Sequence, residues 1–200
     1  MVISELLERA SKRKVTAMRI LEDLELIEKW NTIGQAYVVG ATAYDLLVDQ
    51  DIDIETFCVR PNAAKAMSIL SDLTSNPKVL ELKYRNYSET PFNGYYFKIQ
   101  YEQMPSEIWN IDMWLFSEIR NGPLSRDLVP IMNDSLTIES RKYILNIKEE
   151  LLKKSLVLPS IYVYRAVLDH DIQCTEHFLN WMEQQDIDNQ TNWRPSKNNK

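Results

Sequence analysis

Two aspartates, Asp51 and Asp53, are separated by a single isoleucine in the segment DIDIETF. Side chains alternate along an extended strand, so these two carboxylates and Glu55 point to one face while Ile52 and Ile54 point to the other. Carboxylates this close repel one another unless a cation or basic groups lie between them. Magnesium prefers a few carboxylate oxygens together with substrate phosphates. The segment therefore predicts a divalent-cation site, with two ions bridged by Asp51 and Asp53.

Gly40 lies eleven positions before Asp51 (51 minus 40), where a short predicted strand at 37–39 ends and a helix begins near Ala41. A glycine at this point lets backbone N–H groups of a helix start approach a phosphate closely, and the helix dipole favours its negative charge. The spacing is sufficient for one short helix to return the chain beside the first strand. We therefore expect a triphosphate to lie between the helix start and the metal ions.

The segment VVGATAYDLLVDQDIDIE resembles the signature of the DNA polymerase beta-like nucleotidyltransferase superfamily. That signature is a hydrophobic residue, Gly, then Ser or Gly, a connecting helix, and Asp-hydrophobic-Asp. Within the superfamily the chain is most similar to the small lincosamide and aminoglycoside nucleotidyltransferases and their uncharacterised relatives. The motif covers about residues 37–57, and the order of elements extends the likeness to about residue 116.

The resemblance implies a role for each motif residue. It makes Asp51 and Asp53 metal ligands and catalytic residues, and Gly40 with Ala41 the phosphate-binding turn. The superfamily's third carboxylate lies on a later strand, and Asp112 in WNIDMWLF is the matching residue.

Ala41 departs from the pattern, which usually has Ser or Gly after the glycine. The departure removes a possible hydroxyl contact to phosphate, for which Thr42 is the nearby substitute. It also keeps a second function open, a catalytically inactive binding or regulatory module with the same fold. Asp112 has an alternative too, because it could cap a loop or pair with a Lys or Arg.

Basic residues for the triphosphate are few, and we expect Lys148, on a predicted C-terminal helix, to contact the nucleotide. The other candidates are Lys83, Arg85 and Lys98. Candidate general bases on the C-terminal helices are Asp169, Asp171 and Glu176. A zinc site of His170, Cys174 and His177 is disfavoured, because one straight helix cannot easily direct three ligands to one ion.

The hydrophobic pattern predicts an α/β (α+β) fold, a nucleotidyltransferase core with a mixed β-sheet flanked by helices, plus C-terminal helices. Residues 1–120 form the predicted core, including an N-terminal helix or broken pair over 3–29, and three extended segments precede the helical region at 121–185. One helix is expected from Pro159 through Met182. The polar segment 186–200 is expected to be mobile.

The charge and cysteine content of the chain restrict which partners and which compartment we expect. A net charge of −6 and a pI near 5.1 make long nucleic acid an unfavourable partner and a small, neutral or cationic hydroxylated acceptor a better one. Two cysteines give no disulfide framework, and the first residues, MVISELLERASKRK, lack the continuous apolar core of a signal peptide. No apolar run reaches membrane-spanning length, so we expect a cytoplasmic protein. The oligomeric state is not predicted. The predicted reaction transfers a nucleoside monophosphate from a triphosphate to a hydroxyl of such an acceptor.

Overall fold

The computed structural model describes residues 3–187 and 191–196. These residues form two compact units, which we call the sheet unit (residues 14–43 and 49–122) and the helical unit (residues 1–13, 44–48 and 123–200). The segment predicted to be mobile, 186–200, falls in part on residues 188–190 and 197–200, which lie outside the described residues. Within the part that is described, the indole Nε1 of Trp193 donates a hydrogen bond to Asp169 over 2.5 Å.

The sheet unit contains a mixed five-stranded sheet, as the hydrophobic pattern predicts. Its strands are β1 (Gln35–Val39), β2 (Asp51–Cys58), β3 (Val79–Tyr87), β4 (Gly94–Met104) and β5 (Glu107–Ser117). Their order across the sheet is β1-β2-β5-β4-β3, and only β2 and β5 run parallel. Strand β5 is therefore central, and the chain reaches it from β2 by a long crossover through a helix and two strands.

Alternation divides this sheet into an apolar face and a polar face. Ile52 and Ile54 of β2 and Ile111 and Met113 of β5 are buried together on the apolar face. The buried Trp30 contacts Phe97 there, with ring centroids 5.5 Å apart. Burying these branched and aromatic side chains holds the strands in one register, because a slip by one residue would move them all to the polar face.

Four helices belong to the first half of the chain: α1 (Ile3–Asp23), α2 (Leu26–Asn31), α3 (Gly40–Tyr44) and α4 (Ala63–Asp72). Of the two forms expected for the N-terminal segment, one helix or a broken pair, the structure has the pair. The break falls at Glu25, whose φ of 49° lies in the left-handed region. Helix α4 begins after Asn62, whose side chain accepts the N–H of Lys65 over 3.0 Å. Helix α3 has only five residues, enough to turn the chain from β1 into the antiparallel β2.

The helical unit contains α5 (Ser125–Ser135), α6 (Ile138–Lys153), α7 (Ser160–His170) and α8 (Thr175–Met182). Helix α6 begins with a capping box between Thr137 and Ser140. The single helix expected from Pro159 through Met182 is wrong. Asp171 takes a φ of 51° and ends α7, and α8 begins after Cys174. Within the described residues, no helix has both the length and the hydropathy that a membrane span requires.

Candidate metal centre

Asp51, Asp53 and Asp112 lie together on the polar face of the sheet. One carboxylate oxygen from each lies within 4.8 Å of the others. All three are half-buried, and they are the only such acidic or metal-ligating cluster among the residues that the structure describes. Hard carboxylate oxygens at this spacing match the ligand chemistry of magnesium. The donor set therefore fits the predicted ion, although the number of ions stays a prediction.

The parallel pairing of β2 with β5 brings these residues together. Asp53 is the register partner of Asp112, and Asp51 is the partner of Asn110. Neighbouring strands are about 4.8 Å apart, so side chains of paired residues on one face are adjacent. The alternation seen in DIDIETF and the Asp in WNIDMWLF thus place three carboxylates at one point only because the two strands align in this register.

The charges at this point affect Asp51 most. Its pKa is raised from 3.8 to about 8, first by burial and then by the negative charges of Asp53 and Asp112, while the ammonium of Lys98 lowers it. A carboxylate that is held among like charges favours either a proton or a cation at the same place. The electrostatics of the cluster are therefore those of a site that a divalent cation would stabilise.

Asp112 has two further partners on the neighbouring strand β4. It accepts a hydrogen bond from the hydroxyl of Tyr96, and it lies 3.7 Å from the ammonium of Lys98. Burial, and then the bond to Asp112, raise the pKa of Tyr96. The alternative of pairing with a lysine is thus present alongside the carboxylate cluster. Both β4 partners hold the Asp112 side chain in one orientation.

Sequence reasoning missed the role of Tyr96, although a signal for it existed. Tyr96 and Lys98 are two residues apart in GYYFKIQYE and so lie on one face. What the pattern did not give is the register that pairs Tyr96 with Trp114 and Lys98 with Asp112.

Gly40 lies directly against this cluster. Its φ is 61°, a conformation that favours glycine, and a Cβ built on it would overlap the carboxylate of Asp53. Ala41 follows in the first turn of α3. The buried hydroxyl of Thr42 donates to the backbone carbonyl of Asp51 over 3.3 Å, which ties the helix to the start of β2. Phosphate binding by this turn stays a prediction.

Lys148 belongs to the helical unit and is buried there. Its ammonium donates to the carbonyl of Leu46 over 2.9 Å and lies 5.7 Å from the ring centroid of Tyr164. These contacts give the side chain a structural role, and its expected contact with the nucleotide stays a prediction.

Two other sets of candidates lie on the C-terminal helices. His170 ends α7, Cys174 precedes α8, and His177 lies within α8, so the single helical stripe that was considered for zinc does not exist. Asp169 accepts hydrogen bonds from the indole of Trp193 and from the N–H of Ser196. A general-base role for Asp169, Asp171 or Glu176 stays a prediction.

The mixed five-stranded sheet with its flanking helices matches the nucleotidyltransferase fold of solved structures. A mutant of Cid1 poly(U) polymerase bound to MgATP matches with a TM-score of 0.63 at 14% identity, over 85% of this chain and 55% of that chain. A cytoplasmic RNA terminal U-transferase matches with a TM-score of 0.58 at 14% identity, over 82% and 54%. Cid1 in complex with the UTP analog UMPNPP matches with a TM-score of 0.56 at 13% identity, over 83% and 53%.

The likeness to these structures is one of fold, and the chain spans about half the length of each. No family model matches the sequence. No curated protein matches it either.

Proposed function

We propose that the protein is a magnesium-dependent nucleotidyltransferase that transfers a nucleoside monophosphate from a nucleoside triphosphate to a hydroxyl of a small-molecule acceptor, releasing pyrophosphate. The observation that carries the proposal is the convergence of Asp51, Asp53 and Asp112 within 4.8 Å. A kinship with the lincosamide and aminoglycoside enzymes is part of this proposal. The neighbours named as bound to MgATP and to a UTP analog support the nucleotide part of it.

The three carboxylates of the cluster share one task in this reaction, which is to bind the metal. Asp51 and Asp53 bind magnesium, and Asp112 shares in that binding. When bound, magnesium neutralises the triphosphate and lowers the pKa of the acceptor hydroxyl. Tyr96 and Lys98 keep Asp112 oriented through the contacts described above. The turn at Gly40 and Ala41 positions the phosphates with its backbone N–H groups.

Most of the rate enhancement in this reaction comes from positioning the two substrates. Holding the acceptor hydroxyl and the α-phosphorus in line removes much of the entropic barrier. The fold offers rigid strands for this purpose, since Asp53 and Asp112 are paired neighbours in the sheet. The carboxylates therefore need little reorganisation when substrates bind.

Thermal melts of wild type and of Asp53→Asn test the proposal, each with magnesium chloride, with each of the four common ribonucleoside triphosphates, with both, and with neither. We expect magnesium and triphosphate together to raise the wild-type Tm by several degrees, since a ligand at about 100 times its Kd adds about 2.7 kcal/mol. Asp53→Asn should fold, with a Tm unchanged or raised in metal-free buffer, and should show no such response.

Asp49→Asn is the matched control, because it neutralises an exposed carboxylate outside the cluster. It should respond as wild type does. A wild-type protein that shows no response to magnesium with any triphosphate would contradict the proposal. That outcome would favour the inactive binding module that the departure at Ala41 suggests.

A further inference from the structure

A second feature of the polar face is a pocket beside the metal centre. Its volume is about 340 Å³, and its lining residues come from the three strands β3, β4 and β5. They are Lys83, Arg85, Tyr87, Tyr96, Lys98 and Trp114. Strand register places these side chains on one face, since Lys83 pairs with Lys98 and Arg85 pairs with Tyr96. We call this feature the basic pocket.

The basic pocket carries three cationic side chains in a protein whose net charge is −6. Lys83 lies 3.1 Å from Glu81, and Lys98 lies 3.7 Å from Asp112. The guanidinium of Arg85 donates to the hydroxyl of Tyr87 over 3.3 Å. A phosphate group is the ligand that such a set of donors recognises best, with Arg85 offering a planar fork for its oxygens.

One wall of the basic pocket is aromatic. The ring of Trp114 is stacked on Phe116 with centroids 5.3 Å apart and an angle of 8°, and it is stacked on Phe92 at 5.3 Å and 21°. Tyr87 lies 5.5 Å from the same ring. Rings held in this way form a rigid surface on which a planar group can stack, a contact that contributes about 1–3 kcal/mol for a nucleobase.

The position of the basic pocket separates it from the proposed triphosphate site. Gly40 and Asp53 belong to the β1–β2 side of the sheet, whereas the pocket extends from β5 to β3 on the other side of Asp112. In-line displacement requires the attacking hydroxyl and the leaving pyrophosphate to lie on opposite sides of the α-phosphate. If the triphosphate binds at the Gly40 turn, the basic pocket lies across Asp112 from it, where an acceptor hydroxyl can be held.

We propose that the basic pocket binds the acceptor, and that the acceptor is a nucleotide unit whose phosphate contacts Lys83 and Arg85 and whose base stacks along the Trp114 wall. This inference rests on the proposed function, because it names the acceptor of the same reaction. Three cations are enough to bind one or two phosphates but not a long backbone. The basic pocket therefore favours a small anionic acceptor, in contrast to the neutral or cationic acceptor that the net charge alone predicts. The nucleotide unit is therefore a free mononucleotide or the end of a short oligonucleotide.

Calorimetric titrations in buffer with a chelator and without magnesium test the basic pocket directly. The probes are adenosine 5′-monophosphate, adenosine, and an unstructured oligoadenylate of five nucleotides. The wild type should bind the monophosphate at least about tenfold more tightly than adenosine, a difference of about 1.4 kcal/mol. The oligoadenylate separates the two sources, since a gain over the monophosphate indicates an oligonucleotide end and equal binding indicates a free mononucleotide.

Arg85→Gln should raise the Kd for the monophosphate about tenfold, and the side chain is exposed, so the variant should fold. Arg19→Gln, the same change at an exposed position of α1, is the matched control and should bind as wild type does. Arg85→Gln should also keep the full melting response to magnesium and triphosphate. That response fails in wild type if the proposed function is wrong, so the two failures are distinguishable.

Three results would overturn the inference. The first is wild-type protein that does not bind the monophosphate, or that binds adenosine equally well. The second is an Arg85→Gln variant with unchanged monophosphate affinity. The third is an Arg85→Gln variant that loses its response to magnesium and triphosphate, because the triphosphate would then occupy the basic pocket.

Discussion

The helical unit and the sheet unit both contain charged side chains away from bulk solvent. In the helical unit charges are paired with opposite charges or carbonyls, whereas in the sheet unit like charges lie together. In the helical unit Arg9 donates to both carboxylate oxygens of Glu149 over 2.6 and 2.7 Å, and Lys148 donates to a backbone carbonyl. In the sheet unit three carboxylates lie within 4.8 Å of one another. Opposite charges in contact stabilise a fold, whereas like charges in contact oppose it and favour the binding of a proton or a cation between them.

The largest expected effect is the loss of nucleotide-transfer rate when Asp112 is replaced. Asp112→Asn removes one charge of the carboxylate cluster while its amide oxygen can still accept the bond from Tyr96. We expect the rate of nucleotide transfer to fall about 100- to 1000-fold, on the order of 3–4 kcal/mol, with the free energy of unfolding changed by less than about 1 kcal/mol. Transfer of labelled nucleotide and urea unfolding measure the two quantities. A variant that keeps wild-type rates would remove Asp112 from the mechanism.

In the helical unit we expect the opposite result, a loss of stability without a loss of ligand response. Glu149→Gln removes the negative charge to which Arg9 donates, so the free energy of unfolding should fall by about 2 kcal/mol, a value discounted because Arg9 is one-third exposed. Urea unfolding with and without magnesium checks this, and the loss should be the same in both. If magnesium restored the stability, or if folded Glu149→Gln protein lost its triphosphate response, the division between structural and functional charge would fail.

The smallest expected effect is on the pH dependence of the stability of the metal-free protein. Folding raises the pKa of Asp51 from 3.8 to about 8, so between these values the folded chain holds a proton that the unfolded chain has lost. This contribution to stability is complete below about pH 4 and disappears as the pH rises through about 8. Metal-free wild type should therefore lose about 1 kcal/mol of its free energy of unfolding, a few degrees of Tm, between about pH 7 and about pH 8.

Asp51→Asn should flatten that pH profile, because the titrating group is gone. Magnesium should flatten it in wild type, since the ion takes the place of the proton, and magnesium affinity should rise over the same pH range. A metal-free profile that is identical in wild type and Asp51→Asn would show that Asp51 does not hold the proton.

The sheet and its carboxylates were predictable from local patterns. Alternation in DIDIETF gave the face of Asp51 and Asp53, and the order of strands and helices gave the mixed sheet that the structure has. The grouping of Lys83 with Arg85 was also readable from alternation along β3. Their position beside Lys98 was not, because that depends on how β3 aligns with β4, and no local signal sets this register.

The helix break at Asp171 was missed for a different reason. No glycine or proline interrupts the stretch from Ser160 to Met182, so its composition favours one continuous helix. Aspartate is among the few residues that tolerate a positive φ, and here Asp171 ends α7 without the glycine or proline that usually marks a helix end. The burial of Lys148 was missed as well, because a lysine is ordinarily exposed and its carbonyl partner is 102 residues away in the chain.

The close approach of Gly40 to Asp53 makes these two positions mutationally dependent on each other. A methyl group at position 40 would occupy the place of the Asp53 carboxylate. Aspartate is already the shortest acidic side chain, so no second substitution at position 53 makes room and keeps the charge. A side chain at 40 would therefore have to displace the Asp53 carboxylate from its place in the cluster or move the backbone, so the position of the metal ligand at 53 depends on glycine at 40.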